Sequence, residues 1–158
     1  MNKDPLEINL FREDYSEKKI VIINTHWNAE IIQPMVEDCL ETLKEFKAKT
    51  HVLSVPGAFE IPYIVGKYLN YQRPYFDAII TMGAIIKGET PHFDYVSGEC
   101  LRGVNAVSHK YGIPVGNGIL TVNTIEQAIE RSGSKAGNKG EEATLAVIEM
   151  VNLLRLIN

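Results

Sequence analysis

The chain has 158 residues, 45% of them hydrophobic, and 16 basic against 20 acidic residues give a formal net charge of −4. This length predicts a single domain over residues 1–158, and the apolar fraction is large enough for a core, which argues against disorder. An acidic chain that lacks a basic cluster is a poor candidate for binding nucleic acid or an anionic membrane.

The sequence also constrains where the protein works. The opening segment "MNKDPLEINLFREDYSEKK" is polar and resembles no secretory signal, and no apolar run reaches the length of about 20 residues that a membrane helix needs. Cys39 and Cys100 lack CxxC spacing, so we expect small buried hydrophobes in a reducing compartment. We therefore expect a cytoplasmic protein in which residues 1–18 form a flexible segment or pair with a neighbouring chain.

Strand and helix patterns alternate along the chain. Short apolar runs such as "KIVIINTHW" and "FDAIITMGAII" predict buried strands, and apolar residues spaced three to four apart predict helices. In chain order the predicted elements are a strand at 19–27, a helix at 28–47, a strand at 51–57, a helix at 59–70, a strand at 76–86, a helix at 91–111, a strand at 113–122, and helices at 124–132 and 140–156. The glycines of "SGSKAGNKG" predict tight turns between the last two helices.

This alternation predicts the α/β class, because helices that join parallel strands make right-handed crossovers. The expected fold is a three-layer α/β/α sandwich with a four-stranded parallel, flavodoxin-like sheet. Ligands of such sheets bind beyond the carboxyl ends of the strands. The junctions at those ends are "THWN" (25–28), "PGAFE" (56–60), "KGETPH" (87–92) and "TVNT" (121–124).

The "KGETPH" junction has the composition of an anion-binding turn. Thr90 is a good N-cap, Pro91 suits the first helical position, and Gly88 allows a ligand to approach the backbone closely. Unpaired N–H groups and the dipole at a helix start favour an anion such as phosphate. The alternative is an ordinary capped helix beside a solvated loop.

Among the four histidines, His92 has the strongest case for catalysis. It falls in the first helical turn, where the positive end of the dipole disfavours imidazolium, while a bound phosphate would favour it. Such a side chain can accept and return protons. The alternative is a surface histidine at a helix start, and His26, His51 and His109 have weaker cases.

Three other junction residues have both a functional and a structural interpretation. Trp27 offers a flat face for stacking a heteroaromatic ring, or covers the edge of the core. Glu60 accepts hydrogen bonds from ligand hydroxyls, or complements the dipole of its helix. Arg131 clamps a phosphate with its planar guanidinium, or complements a helix C-terminus.

Several long motifs, in order, resemble those of the 6,7-dimethyl-8-ribityllumazine synthase family. They are "VPGAFEIP", "GAIIKGETPHFDYV", "GILTVNTIEQAIERSGSKAGNKG" and "EEATLAVIEMVNLLR", and the resemblance covers about residues 19 to 156. It implies a transferase that condenses 5-amino-6-(D-ribitylamino)uracil with 3,4-dihydroxy-2-butanone 4-phosphate. The products are the lumazine, inorganic phosphate and water, in the penultimate step of riboflavin biosynthesis. The resemblance implies no cofactor and no metal, in line with a sequence that has no His/Cys metal spacing.

The resemblance also implies roles for individual residues of this chain. His92 would be the catalytic acid and base, and Glu142 would support it. The residues implied in substrate binding are Trp27 and Asn28 at the pyrimidine, Gly57, Ala58, Phe59 and Glu60 at the ribityl chain, Ala84, Ile85 and Ile86 at the pyrimidine edge, Glu89, Thr90 and Arg131 at the phosphate, Lys139 near the reacting carbonyl, and Asn117.

Two of these positions depart from the common family pattern. Asn117 falls where many members carry Phe as a second wall over the ring, and an amide there would hydrogen-bond rather than pack. Trp27 is bulkier than the frequent Phe and would favour flavin-like ligands. The alternative function is therefore a flavin- or riboflavin-binding module without turnover.

The resemblance further implies a homopentamer with active sites between neighbouring chains. Residues 117–139 of one chain would complete the pocket that Trp27, Glu60 and His92 begin in the next. Some members pack twelve pentamers into a 60-subunit shell. The absence of extra residues in "SGSKAGNKG" favours this icosahedral 60-mer, because a longer turn would hinder contact between pentamers.

Overall fold

The computed structural model describes residues 15–72, 76–134 and 137–157. The main elements are β1 (Lys19–Thr25), α1 (Ala29–Glu45), β2 (Lys49–Val55), α2 (Ile61–Gln72), β3 (Ala78–Ile86), α3 (His92–Tyr111), β4 (Val115–Val122), α4 (Ile125–Arg131), β5 (Ser132–Ser134), β6 (Gly137–Asn138) and α5 (Lys139–Ile157). A 3₁₀ turn at Ala58–Glu60 precedes α2.

The predicted α/β class and four-stranded parallel sheet are confirmed. The strands lie in the order β2-β1-β3-β4, and every pair is parallel. The order in which successive strands are added to the sheet reverses between β1 and β3, and doubly wound sheets open a crevice for ligands at such a point. Because the strands are parallel, the residues that follow β1, β2 and β3 lie together at the carboxyl end of the sheet.

Helices cover both faces of the sheet, because side chains along each strand point alternately to either side. Ile20 and Ile22 of β1 face a cluster formed with α1 and α5, whereas Val21 and Ile23 face a cluster formed with α2 and α3. The two apolar clusters have no shared residue, so each face of the sheet has a core of its own.

Each core contains one of the two cysteines, and both are free and buried. Burial raises the pKa of the Cys39 thiol to about 11, although a hydrogen bond with Thr144 opposes the shift. Burial likewise raises the pKa of Cys100 to about 11. The expectation that they are buried is confirmed, and neither thiol is poised for chemistry at neutral pH.

The strands and helices predicted from the sequence occur with small shifts at their ends. The cap predicted at the start of α3 is wrong: Pro91, rather than Thr90, occupies the N-cap position, and the helix begins at His92. The loop between α4 and α5 holds a short antiparallel pair, β5 with β6, where only turns were predicted. Gly133 and Gly137 have φ of 125° and 82°, and these positive angles let so short a pair form.

The strand β4 lies at an edge of the sheet, and this position matters for the site. The carbonyl groups of Pro114 and Val122 accept hydrogen bonds from Ile79 and Lys87 of the β3 segment at 3.0 and 2.9 Å. Alternate residues of a strand bond to opposite sides, so the peptide groups of the odd-numbered β4 residues point away from β3. This edge is a surface to which another element can dock.

The prediction that residues 1–18 are flexible or pair with a neighbour concerns mainly residues 1–14, which lie outside the described residues. Tyr15 is only 1% exposed, and its ring packs edge-on against Phe46. Lys18 forms an ion pair of 2.8 Å with Asp77 at the amino end of the sheet. In the part of the chain that the structure describes, no helix is both long and apolar enough to cross a membrane.

Candidate active site

A cavity of about 560 Å³ opens at the carboxyl end of the sheet, where β1, β2 and β3 end. Residues from all three junctions line it, together with the first two turns of α3. They are Trp27, Ala58, Phe59, Glu60, Ala84, Ile85, Ile86, Gly88, Thr90, His92, Phe93, Tyr95, Val96 and Glu99. We call this the first cavity. It brings together eight of the residues that the sequence assigned to substrate binding, and His92 with them.

Trp27 is held through its backbone while its ring stays open to the first cavity. Its N–H donates to the Pro56 carbonyl at 3.0 Å, and its own carbonyl accepts from the Thr25 hydroxyl at 3.1 Å. The side chain is nevertheless 65% exposed. An exposed indole on a fixed backbone suits stacking on a planar ligand, whereas covering the core would require burial.

Gly57 gives the Trp27 ring the space that it occupies. A Cβ atom at Gly57 would lie 2.6 Å from Cζ3 of Trp27, which no side chain accommodates without displacing the indole. Gly57 does not line the cavity itself. Its contribution to the site is therefore the position of the aromatic ring.

Asn28 joins the ends of β1 and β3. Its backbone is left-handed, with φ of 60°, at the N-cap of α1, and its side chain makes no capping hydrogen bond. The side-chain amide instead donates to the Ala84 carbonyl at 3.1 Å. Asn28 thus holds two junctions together without lining the first cavity itself. Asparagine also tolerates the left-handed backbone better than most residues.

Glu60 serves its own turn and also faces the first cavity. Its Oε2 accepts a hydrogen bond of 3.0 Å from the Gly57 N–H, which closes the 3₁₀ turn. The structural and the functional interpretations of this residue are therefore compatible, because a carboxylate has a second oxygen with which to accept ligand hydroxyls. Phe59, which precedes it, is 59% exposed beside the cavity.

Thr90 and His92 form the polar side of the first cavity, at the start of α3. Because the cap lies at Pro91, the Thr90 hydroxyl is not used to cap the helix. Glu89 is exposed on the same loop but does not line the cavity. Unpaired backbone N–H groups at the start of α3 lie beside these side chains, which is the arrangement that favours an anion.

Sequence reasoning missed four cavity residues, all on α3: Phe93, Tyr95, Val96 and Glu99. The last three follow His92 at helical spacings of three, four and seven. Residues at those spacings share a helix face, so the identification of His92 as a site residue already pointed to them.

A second cavity, of about 430 Å³, lies along β4 between α4 and α5. The predicted residues Asn117, Arg131, Lys139 and Glu142 line it. The Arg131 guanidinium donates to the Gln127 carbonyl at 3.0 Å, within the last turn of α4, and so complements this helix end while it faces the cavity. Lys139 and Glu142 form an ion pair one helical turn apart.

The start of α4 is built to hold Arg131 in place. The Thr124 hydroxyl accepts from the Gln127 N–H at 3.2 Å, and Gln127 Oε1 accepts from the Asn123 N–H at 2.8 Å. The first bond caps the helix, which has only seven residues, and the second ties the Gln127 side chain to the residue before the cap. The Glu126 backbone N–H and the Thr124 hydroxyl also lower the pKa of the exposed Glu126 carboxyl.

Asn117 projects from the edge strand β4 and borders the second cavity. The side-chain Oδ1 of Asn117 accepts a hydrogen bond of 3.1 Å from the Ile119 N–H, which is one of the backbone groups that face away from β3. On its other side Asn117 meets a third cavity of about 490 Å³, mostly apolar, between the end of α3 and α5.

The candidate residues therefore fall into two groups within one chain. Trp27, Glu60 and His92 line the first cavity, whereas Arg131 and Glu142 line the second. A single chain does not bring Glu142 beside His92. Within the described ranges, no group of three His, Cys, Asp or Glu residues is placed to hold a metal ion.

Comparisons with known proteins identify the family of the chain. Residues 17–155 match the family model described as 6,7-dimethyl-8-ribityllumazine synthase. A protein named 6,7-dimethyl-8-ribityllumazine synthase from Campylobacter jejuni subsp. doylei is 50% identical over 143 residues, which cover 89% of this chain and 92% of the relative. Another of the same name, from Campylobacter jejuni subsp. jejuni, is 51% identical over 141 residues, which cover 87% and 90%.

Proposed function

Because this chain belongs to the 6,7-dimethyl-8-ribityllumazine synthase family, we propose that it performs the condensation for which the family is named. The enzyme is a transferase of riboflavin biosynthesis. It joins 5-amino-6-(D-ribitylamino)uracil to 3,4-dihydroxy-2-butanone 4-phosphate and releases the lumazine, inorganic phosphate and water. The observation that carries the proposal is the first cavity, in which an open indole, a carboxylate and a histidine face one space.

In this proposal the first cavity binds the pyrimidine substrate. Trp27 stacks on the uracil ring, and the backbone of Ala84 to Ile86 hydrogen-bonds to the edge of the ring. Glu60 accepts hydrogen bonds from the ribityl hydroxyls through the oxygen that the Gly57 N–H leaves open. Asn28 and Gly57 act by fixing the shape of this cradle.

The phosphate of the second substrate binds between the two groups of residues. Thr90, the loop at Glu89 and the backbone N–H groups at the start of α3 contact it from the side of the first cavity. Arg131 supplies the positive charge with a planar donor pair. Since Arg131 lines a different cavity of the same chain, we propose that it comes from a neighbouring copy.

Each site is then formed at an interface, and the protein is a homopentamer. The second cavity of one copy, with Asn117, Arg131, Lys139 and Glu142, faces the first cavity of the next. Two features of this side of the chain support association: among the described residues no strand covers the outer edge of β4, and the exposed Met150 borders the third cavity together with Asn117. The short turn between α4 and α5 favours assembly of twelve pentamers into a 60-subunit shell.

The chemistry follows from positioning and proton transfer. The amine of the uracil attacks the ketone, and loss of water gives an imine. His92 removes a proton from the carbon next to it, and the electron pair expels phosphate, which Arg131 and the start of α3 stabilise. Elimination leaves an enol, which takes up a proton on its terminal carbon and becomes a ketone with a new methyl group. The ribitylamino nitrogen attacks this new carbonyl, and loss of a second water closes the ring. Holding both substrates in one cavity supplies much of the rate.

The proposal is tested by mixing the purified protein with both substrates and following the absorbance of the lumazine together with phosphate release. Equal amounts of the two products, formed only when both substrates are present, are the expected result. Riboflavin binding without either product would instead assign the protein to the alternative, a flavin-binding module. Light scattering on the same sample tests the assembly, and a mass equal to five chains at neutral pH would contradict the shell but not the pentamer.

A further inference from the structure

We propose that Asn138 is a positioning residue that sets the spacing of Arg131 and Lys139, the two cations of the second cavity. Asn138 lies in β6 between these residues and is only 5% exposed. It does not line the second cavity itself. The inference rests on the proposed function, because it assigns to Asn138 the placement of the groups that meet the phosphorylated substrate.

The side-chain oxygen of Asn138 caps α5. Oδ1 accepts hydrogen bonds from the N–H groups of Gly140 and Glu141 at 2.8 and 3.3 Å. These are two of the donors that the first turn of a helix leaves without partners. The bonds fix the direction in which α5 leaves the loop, and Lys139 is the first residue of that helix.

The side-chain nitrogen of Asn138 ties the same point to two other elements. Nδ2 donates to the Asp38 carboxylate on α1 and to the Ser132 carbonyl, the latter at 3.3 Å. Ser132 directly follows Arg131 and pairs with Asn138 in the β5–β6 register. One amide therefore connects the backbone just after Arg131 with the backbone just before Lys139, and anchors both on α1.

Close packing prevents this connection from shifting. A Cβ atom at Gly140 would lie 2.9 Å from the Cα of Met35, so the start of α5 rests directly on the backbone of α1. The Thr144 hydroxyl donates to the Gly140 carbonyl at 2.7 Å in the same region. The separation of the two cations is thus set by a buried network that neither cation joins.

The expected consequence concerns one substrate and not the other. The phosphorylated substrate meets Arg131 and Lys139, so displacement of these cations weakens its binding. The pyrimidine lies in the first cavity, which Asn138 does not reach. Loss of the Asn138 network should therefore raise the KM for the butanone phosphate and leave the KM for the pyrimidine unchanged.

The decisive variants exchange the partners of the Asn138–Asp38 hydrogen bond. Asn138→Asp keeps the cap on α5 but places two carboxylates together, and we expect a roughly tenfold rise in the KM for the butanone phosphate, with kcat changed less than about threefold. The double variant Asp38→Asn/Asn138→Asp restores one donor and one acceptor to the pair. It should recover most of the lost affinity. Asn138→Ala, which also removes the cap, should have a larger effect than Asn138→Asp.

Asp77→Ala is the matched control. Asp77 accepts from the Lys19 N–H at 2.9 Å and pairs with Lys18 at the opposite end of the sheet, so its loss destabilises the fold without touching the site. Its KM values should equal those of the wild type. The proposal is overturned if Asn138→Asp keeps the wild-type KM for the butanone phosphate, or if the double variant recovers nothing. A wild-type protein that forms no lumazine would instead refute the proposed function.

Discussion

The first and second cavities differ in how the chain builds them. The first collects the ends of three neighbouring strands, so its residues, Trp27, Glu60 and His92 among them, come from junctions far apart in sequence. The second takes nearly all of its polar groups from one continuous region, residues 117–142, beside an edge strand. The first is rich in aromatic and aliphatic surface suited to a flat ring, and the second carries a guanidinium and an ammonium group suited to phosphate.

This difference explains why one chain is not enough for the proposed reaction. The two substrates must react in contact, yet the groups suited to each line separate cavities of the chain. In the assembly that we propose, a neighbouring copy presents its second cavity to the first cavity and so completes the site. Cyclic assembly repeats the same contact around the ring, so every site is completed.

The largest effect is expected from the second cavity. Arg131→Ala should lower kcat/KM by about 100-fold, because the phosphate loses its planar charged donor before and after it departs. Arg131→Lys keeps the charge without the paired geometry, so its kcat/KM should lie between those of the wild type and Arg131→Ala. Steady-state kinetics with varied butanone phosphate measures this order. Activity of Arg131→Ala within about threefold of the wild type would separate the second cavity from the reaction.

Loss of His92, the proposed acid and base of the first cavity, should lower activity less than loss of Arg131. His92→Ala should lower kcat by about 10- to 100-fold and leave residual activity, because orientation of the substrates persists without the imidazole. His51→Ala is the control, since this exposed histidine stacks on Tyr68 away from the cavity. A turnover number that His92→Ala does not change would remove this residue from the catalytic mechanism.

The cradle of the first cavity can be tested with two glycines. Gly57→Ala should raise the KM for the pyrimidine about tenfold, since the added methyl group displaces the Trp27 ring. Gly98→Ala lies on α3 outside the first cavity, and its added methyl group meets only the end of the Arg102 side chain, at 3.9 Å, so it should leave that KM unchanged. Equal effects of both substitutions would show that the Trp27 position does not govern binding of the pyrimidine.

The smallest effect is expected in the two cores that support the cavities, where a thiol reagent should barely label the two buried cysteines. A thiol with a pKa of about 11 is ionised to only about one part in a thousand at pH 8, and burial blocks access as well. Cys39 and Cys100 should therefore react with a thiol reagent in the native protein far more slowly than in the unfolded chain. Because the thiolate fraction grows as the pH rises towards 11, the rate should increase with pH. Rapid labelling of one cysteine alone would identify the less rigid of the two cores.

Much of the fold is readable from the sequence, because local patterns decide it. The β-branched run at 19–25 and the apolar spacing of α1 each specify an element, and alternation of elements specifies a parallel sheet. The junctions that form the first cavity follow from the rule that ligands bind at strand ends. The cap at Pro91 and the β5–β6 pair were missed, because a proline conformation and two positive φ angles within a glycine-rich loop leave no periodic signal.

The division of the site into two cavities is less accessible to sequence reasoning. The sequence pattern places Asn117 in a strand, Arg131 at the end of a helix and Lys139 beside the last helix, but it does not show that the three residues share a cavity. The hydrogen bond between Asn138 and Asp38 of α1 joins residues that lie 100 positions apart in the sequence. Such contacts follow from packing of the helices, which no local pattern specifies.

The central claim is that each active site combines residues of two chains, and a subunit-mixing experiment tests it directly. Arg131→Ala is damaged only in the second cavity, and Glu60→Ala/His92→Ala only in the first. If the two variants are unfolded and refolded together, about one site in four should combine two intact halves, and the mixture should regain about a quarter of wild-type turnover. If the mixture shows only the average of the two separate activities, the site lies within one chain and the account is wrong.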